Sequence, residues 1–376
     1  REDWTDCVRT LLRGLATALA ISLAMIALQR PFCHLFFCFV DCSEEVRNLA
    51  VRYFTIRILC SPATMSLMVV RGWFIGMQDT FSSMVTDTVV NVVNIVASIA
   101  LSVGIPALGI RGMGFEGVAT GTVAAQYLGL LVASVIMLFK YSGTFSGRLS
   151  RASLKGTFSG GKMHEFFSVN KDLFIRSLCL ISVYLGFSAI SARFGDVLLA
   201  SCSIMMKLLM IFSYFSDGFA FAGEALTGRF VGSRDSSGLR RTVRLTFAWS
   251  MGIGLLFVGI YSLWGMPMFR LMTEDAAVLD ASSAFLPWLV LIPIVGCPAF
   301  TWDGIYIGAT ATRQMRDSNI WCAVSFFAVW FVGRQFLSHE GNVPVHLLFA
   351  AYYTHLIVRS LYQTAFYRRA VLSRIS

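Results

Sequence analysis

Arg71-Gly-Trp-Phe-Ile-Gly76 returns later in the chain as Asp303-Gly-Ile-Tyr-Ile-Gly308. An offset of 232 residues separates Gly72 from Gly304 and Gly76 from Gly308, and it also separates Arg9-Thr10 from Arg241-Thr242. A repeat of this period predicts two helical bundles of like build within one chain. It also sets an expectation about the front of the chain. An apolar segment begins near residue 166, and its counterpart 232 positions earlier falls before residue 1. The first bundle is therefore expected to lack roughly 66 residues, about two helices, that the second bundle has.

Composition says where such bundles live. Hydrophobic residues make up 56% of the chain, charged ones only 14%, and the mean hydropathy is +0.68. Soluble domains carry about 25% charge, so the chain reads as an all-α integral membrane protein. The formal charge of +10 does not point to nucleic acid, because no polar domain exists to carry a basic face. The cysteines stand singly, without CxxC or His spacing for a metal. No nucleophile elbow or phosphate loop appears, so an enzyme is not expected, and no cofactor either.

A bilayer span takes about 20 mostly apolar residues. Ten can be placed, at about 10–37, 47–75, 83–105, 114–140, 168–193, 196–222, 240–264, 280–309, 318–337 and 345–367. Pro62 is expected to interrupt the second span, and Pro293 and Pro298 the eighth. The Ser/Gly/Lys-rich stretch 141–165 has the character of a flexible connection. It divides a four-helix lobe (1–140) from a six-helix lobe (166–376). Basic residues collect in alternate loops: Lys140, Arg148, Arg151, Lys155 and Lys162; then Arg229, Arg234, Arg240 and Arg241; then Arg313 and Arg316; then the tail. Acids such as Asp41, Glu44, Glu274 and Asp275 mark the others. By the positive-inside rule both chain ends lie in the cytoplasm.

Ionisable groups inside a span are costly and by default face a cavity or a partner. On the third span, Asp87, Asn91, Asn94 and Ser98 recur every three or four residues and share one helix face. Gln126 on the fourth lies at similar depth. The set reads either as an interhelical hydrogen-bond seam or as a cavity wall serving substrate or proton. In the second lobe, Asp172 and Arg176 are one turn apart, Asp217 and Glu224 share a face, and Asp303 sits at comparable depth. These should pair. They form either a static salt-bridge lock or a network that answers to a proton or another cation. Arg57 and Lys207 are weaker signals.

Several motifs resemble the DinF branch of the MATE (multidrug and toxic compound extrusion) transporters. They are Asn170-Lys-Asp-Leu-Phe-Ile-Arg-Ser177, Asp217-Gly-Phe-Ala-Phe-Ala-Gly-Glu-Ala225 with Gly232-Ser-Arg-Asp235, and Asp303-Gly-Ile-Tyr-Ile-Gly-Ala309 with Met315-Arg316. Gly72-Trp-Phe-Ile-Gly76, Asn91-Val-Val-Asn94 and Gly117-Val-Ala-Thr120 with Gln126-Tyr127 resemble the same family's first lobe. The resemblance implies a two-lobe, MATE/MOP-like bundle of twelve helices, ten of them in this chain. It implies a monomeric antiporter of the bacterial inner membrane that exports small organic, cationic or amphipathic compounds against protons or sodium. In such relatives an acid on the first helix sits beside the Asn that Asn94 matches. Where they tend to place Asp, this chain has Ser98. Two rivals stand beside this reading. A lipid-linked precursor flippase is disfavoured because Leu15–Leu28 and Val85–Val103 hold no cation. The other is a truncated chain that is inactive alone.

Overall fold

The computed structural model describes residues 4–37, 44–105, 110–145, 160–336 and 343–375. They form two compact units, Arg1–Met163 and His164–Ser376. The first holds α1 (Trp4–Ala27), α2 (Gln29–Phe37), α3 (Glu44–Ile58), α4 (Ser61–Gly76), α5 (Thr80–Val103) and α6 (Phe115–Lys140). Between α5 and α6, Gly104–Ile105 pairs antiparallel with Ile110–Arg111. The second holds α7 (Gly160–Ser191), α8 (Asp196–Gly232), α9 (Ser236–Met272), α10 (Ala276–Gly308), α11 (Thr312–Phe336) and α12 (Val343–Ala370).

All ten expected spans are helical. Among the described residues seven helices are long and apolar enough to cross a membrane, and eight spans result when α3 and α4 count as one bent pair. α11 and α12 have the length but carry Arg313, Arg316 and Asp317, and Arg359, Arg368 and Arg369. Large apolar side chains face outward, Leu271 being 87% exposed and Phe139 83%, which is what lipid as the surrounding solvent selects.

Two sequence expectations change, and the interruption of the second span at Pro62 holds. The first span breaks at Leu28 into α1 and α2. The second bends by 47° between α3 and α4, where Pro62 sits in the first turn of α4 and its missing N–H costs nothing. The eighth does not break: α10 runs unbroken through Pro287, Pro293 and Pro298. The stretch 141–165 is also less open than its composition suggests. Ser142–Phe145 forms one helical turn and α7 already starts at Gly160; Arg148, Arg151, Lys155 and Ser159 lie outside the described residues.

Small residues set the tightest packing. On α6, Gly117, Gly121, Ala125, Gly129 and Ala133 recur every fourth residue and all are buried. A Cβ on Gly117 would come within 2.4 Å of the Leu101 carbonyl oxygen, and one on Gly121 within 2.5 Å of the Ser98 nitrogen. The backbones of α5 and α6 thus touch, a contact only glycine permits. In the second unit, Gly304 and Gly308 of α10 do the same against α8: added Cβ atoms would lie 2.0 Å from the Ala220 oxygen and 2.3 Å from the Glu224 oxygen. Cβ atoms added to their repeat partners on α4, Gly72 and Gly76, would meet nothing within 4 Å among the described residues.

The repeat extends to backbone conformation. Gln78 and Thr310, again 232 apart, both adopt positive φ, at 61° and 53°. Each follows its glycine pair and closes the helix with the same bonds: Asp79 N to Phe74 O at 2.8 Å and Ala311 N to Tyr306 O at 2.9 Å. This is the left-handed C-terminal reversal that ends many helices. Asp79, Asp235 and Asp275 then cap α5, α9 and α10 with their carboxylates.

Asp79 does more than cap. Its carboxylate, which is buried, takes Lys140 Nζ at 2.8 Å, the Tyr141 hydroxyl at 2.9 Å and the Ser82 hydroxyl at 2.6 Å. Burial alone raises this carboxyl, but Lys140, Ser82 and Tyr141 outweigh it and hold the group below its ordinary value. A depressed carboxylate adds stability that is present above the ordinary range and is lost as pH falls through the folded value. Asp79→Asn is therefore expected to cost about 1–3 kcal/mol near neutral pH, and the gap from wild type should narrow in acid. Thermal melting in detergent at about pH 7 and about pH 3 measures both; an equal gap at the two would contradict the assignment.

Candidate functional site

α12 carries His355, Arg359 and Gln363 at a spacing of four, so all three share one face. All are buried, at 3%, 3% and 0% exposure. Their face meets Asp303 on α10. Arg359 Nε donates to Asp303 Oδ1 at 3.2 Å and its Nη2 pairs with Oδ2, while Gln363 Nε2 donates to Oδ1 at 3.1 Å. Arg176 of α7 closes the set through Nη2 to Oδ2 at 2.5 Å. Tyr306 Oη donates to the Gln363 carbonyl at 2.6 Å and Trp302 Nε1 to Thr364 Oγ1 at 2.8 Å, which fix α10 and α12 in register around the pair. A buried carboxylate holding two guanidiniums and an amide is fully bonded.

Asp217, on α8, is half-buried and makes no hydrogen bond or ion pair among the described residues; the same holds for Glu224, seven residues on. Asp217 lies in electrostatic reach of Arg359 and Arg176, and Glu224 of Arg176. The cluster thus sets three carboxylates against two guanidiniums, with one negative charge in surplus when all are ionised. Asp217, Asp303, Arg176, Arg359 and His355 line a cavity of about 370 Å³ whose other walls include Met206, Met210, Phe300 and Tyr352. An apolar chamber with a few convergent polar groups is the usual form of a small-molecule site.

The expected pairing within the second lobe holds only in part. Arg176 and Asp303 meet. Asp172 does not turn to Arg176 one turn away but to α11, where Arg316 Nη1 lies at 2.6 Å and Thr312 Oγ1 at 3.5 Å. Glu224 stays outside the cavity lining. In the first unit the four-residue stripe of α5 divides. Asp87 pairs with Arg71 of α4, Asn91 is exposed, and Ser98 Oγ lies 3.1 Å from Asn94 Oδ1 and 3.3 Å from the Val118 carbonyl of α6. Gln126, half-buried, makes no hydrogen bond among the described residues. The Asn94–Ser98 pair is therefore a seam element beside the glycine contact of α5 and α6. Of the weaker signals, Arg57 Nη1 lies 3.2 Å from Cys60 Sγ and Lys207 is exposed.

Comparison with known proteins agrees with this fold. The MatE family pattern matches residues 2–100 and 173–353. DNA damage-inducible protein F of Escherichia coli (strain K12) is 31% identical over 363 residues, which is 96% of this chain and 75% of that protein. Probable multidrug resistance protein NorM of Photorhabdus laumondii is 23% identical, across 78% of this chain and 62% of that one. Among solved structures, the outward-facing conformation of a multidrug resistance MATE family transporter of the MOP superfamily superposes with a TM-score of 0.78. That match has 15% identity and covers 97% of this chain and 79% of the other.

Proposed function

The chain belongs to the MatE family of membrane transporters, and from that premise we propose that it exports small organic, cationic or amphipathic compounds by antiport against protons or sodium. The two units alternate in giving substrate access to the two sides of a bacterial inner membrane, with both chain ends in the cytoplasm. The observation that carries the coupling step is the surplus carboxylate of the second unit. Asp303 is saturated, so Asp217, beside the cavity, and Glu224 are the groups free to take a cation or a proton. A cation that binds the cluster in one state and not in the other shifts the balance between states by that difference in affinity. Substrate, competing for the same charge, leaves when the ion arrives.

The first unit supports less. Its polar stripe is largely consumed by Arg71 and by the seam to α6. The glycine pair of α4 is bare where its counterpart on α10 receives α8, a face shaped for a helix of the kind α8 supplies to the second unit. The proposal is that such helices complete the first lobe.

The test is efflux from proteoliposomes under an imposed proton or sodium gradient. Asp217→Asn and Glu224→Gln, combined, are expected to reduce gradient-driven transport by roughly tenfold or more, one lost charge interaction being on the order of tenfold. Unchanged transport and unchanged gradient dependence in the double variant would remove the second unit from coupling.

A further inference from the structure

His355 lines the cavity and is more than nine-tenths buried and incompletely bonded among the described residues. Its Nδ1 lies 3.2 Å from the Tyr352 carbonyl oxygen, and its Nε2 is buried with no hydrogen-bond partner among the described residues. A carbonyl can only accept, so Nδ1 carries the proton, and in the neutral ring Nε2 is left as a bare acceptor. His355 and Asp217 both line this one chamber.

We propose that His355 is a specificity-determining residue that makes the cavity prefer ammonium groups bearing an N–H over quaternary ones. This rests on the reading of the cavity as a cation site. A protonated primary, secondary or tertiary amine answers both features: its charge balances Asp217 and its N–H donates to Nε2. A quaternary ammonium balances the charge equally well but turns methyl groups toward a buried lone pair. The aromatic and thioether walls, Phe300, Tyr352 and Met206, serve either ligand alike and do not set the preference.

The discriminating probes are N,N-dimethylphenethylammonium and trimethylphenethylammonium, which differ by one N–H replaced by N–CH₃. Titration calorimetry on the full chain in detergent micelles at about pH 7 should show the tertiary probe binding roughly ten- to a hundredfold tighter, the size of one hydrogen bond to a charged donor. His355→Phe should bring the ratio of the two affinities close to one. His355→Gln, which restores an acceptor oxygen, should retain part of it. A histidine that merely packs would change both affinities together and leave the ratio where it was. Equal binding of the probes by wild type, or a ratio that survives His355→Phe, overturns the assignment. Asp217→Asn separates the two layers. If it weakens both probes, the cation site stands whatever His355 does; if wild type binds neither probe, the cavity reading and the inference fall together.

Discussion

Replacing Asp303 by alanine is expected to destabilise the second unit by about 3–5 kcal/mol, the cost of stripping a buried ion pair of one partner. Arg176 and Arg359 would face each other across the gap, and Arg359, 3% exposed, would be left as an uncompensated buried charge. Gln363 would lose its acceptor as well, leaving both ends of a fully buried amide unpaired. The loss should be read as a lower melting temperature in detergent, together with loss of transport. Adding Arg359→Met should recover part of it, since removing the stranded cation removes most of the penalty. Melting unchanged in Asp303→Ala would mean the pair is not closed as the geometry has it.

Alanine at Gly304 is the second large effect, and its repeat partner gives the control. The new methyl would sit 2.0 Å from the Ala220 oxygen and 2.6 Å from the carbon that bears it. Neither can yield without moving a helix, so α8 and α10 must separate, at about 1–3 kcal/mol or more. Gly72→Ala introduces the same methyl where nothing lies within 4 Å. There the gain in helix propensity, about 0.5–1 kcal/mol, is all that remains. One substitution at two positions 232 residues apart should thus change stability in opposite directions in this chain. A loss at Gly72 as large as that at Gly304 would show that the α4 face is covered.

The architecture was legible because its signals are local. Apolar length places a helix, and the Arg71–Gly76 repeat needs only the sequence laid against itself. Every expected span is helical, and the repeat is carried down to the positive φ of Gln78 and Thr310. The boundaries ran short because α8 and α9, at 37 residues each, extend past any bilayer core of about 30 Å.

The site was half legible. Arg176, Asp217 and Asp303 announce themselves as charges in apolar company. Arg359 and Gln363 were missed although the tenth span contains them, and so was His355. The four-residue spacing that singled out Asp87, Asn91, Asn94 and Ser98 on the third span also joins His355, Arg359 and Gln363. What no pattern gives is the choice of partner. Asp172 pairs with Arg316, 144 residues away, while Arg176 in the next turn pairs with Asp303. The ladder of small residues on α6 was visible at every fourth position and reads as packing only once Leu101 and Ser98 are seen behind it.

That ladder has a mechanical corollary. Two helices whose main chains rest on each other over successive turns behave as a single plank, with no slack between them to yield. Flexure in the first unit must then concentrate elsewhere, and the break at Leu59–Cys60 is the natural elbow. There the amides of both residues reach back only three positions, to Ile56 and Arg57, at 3.2 Å each, so the regular ladder is already interrupted.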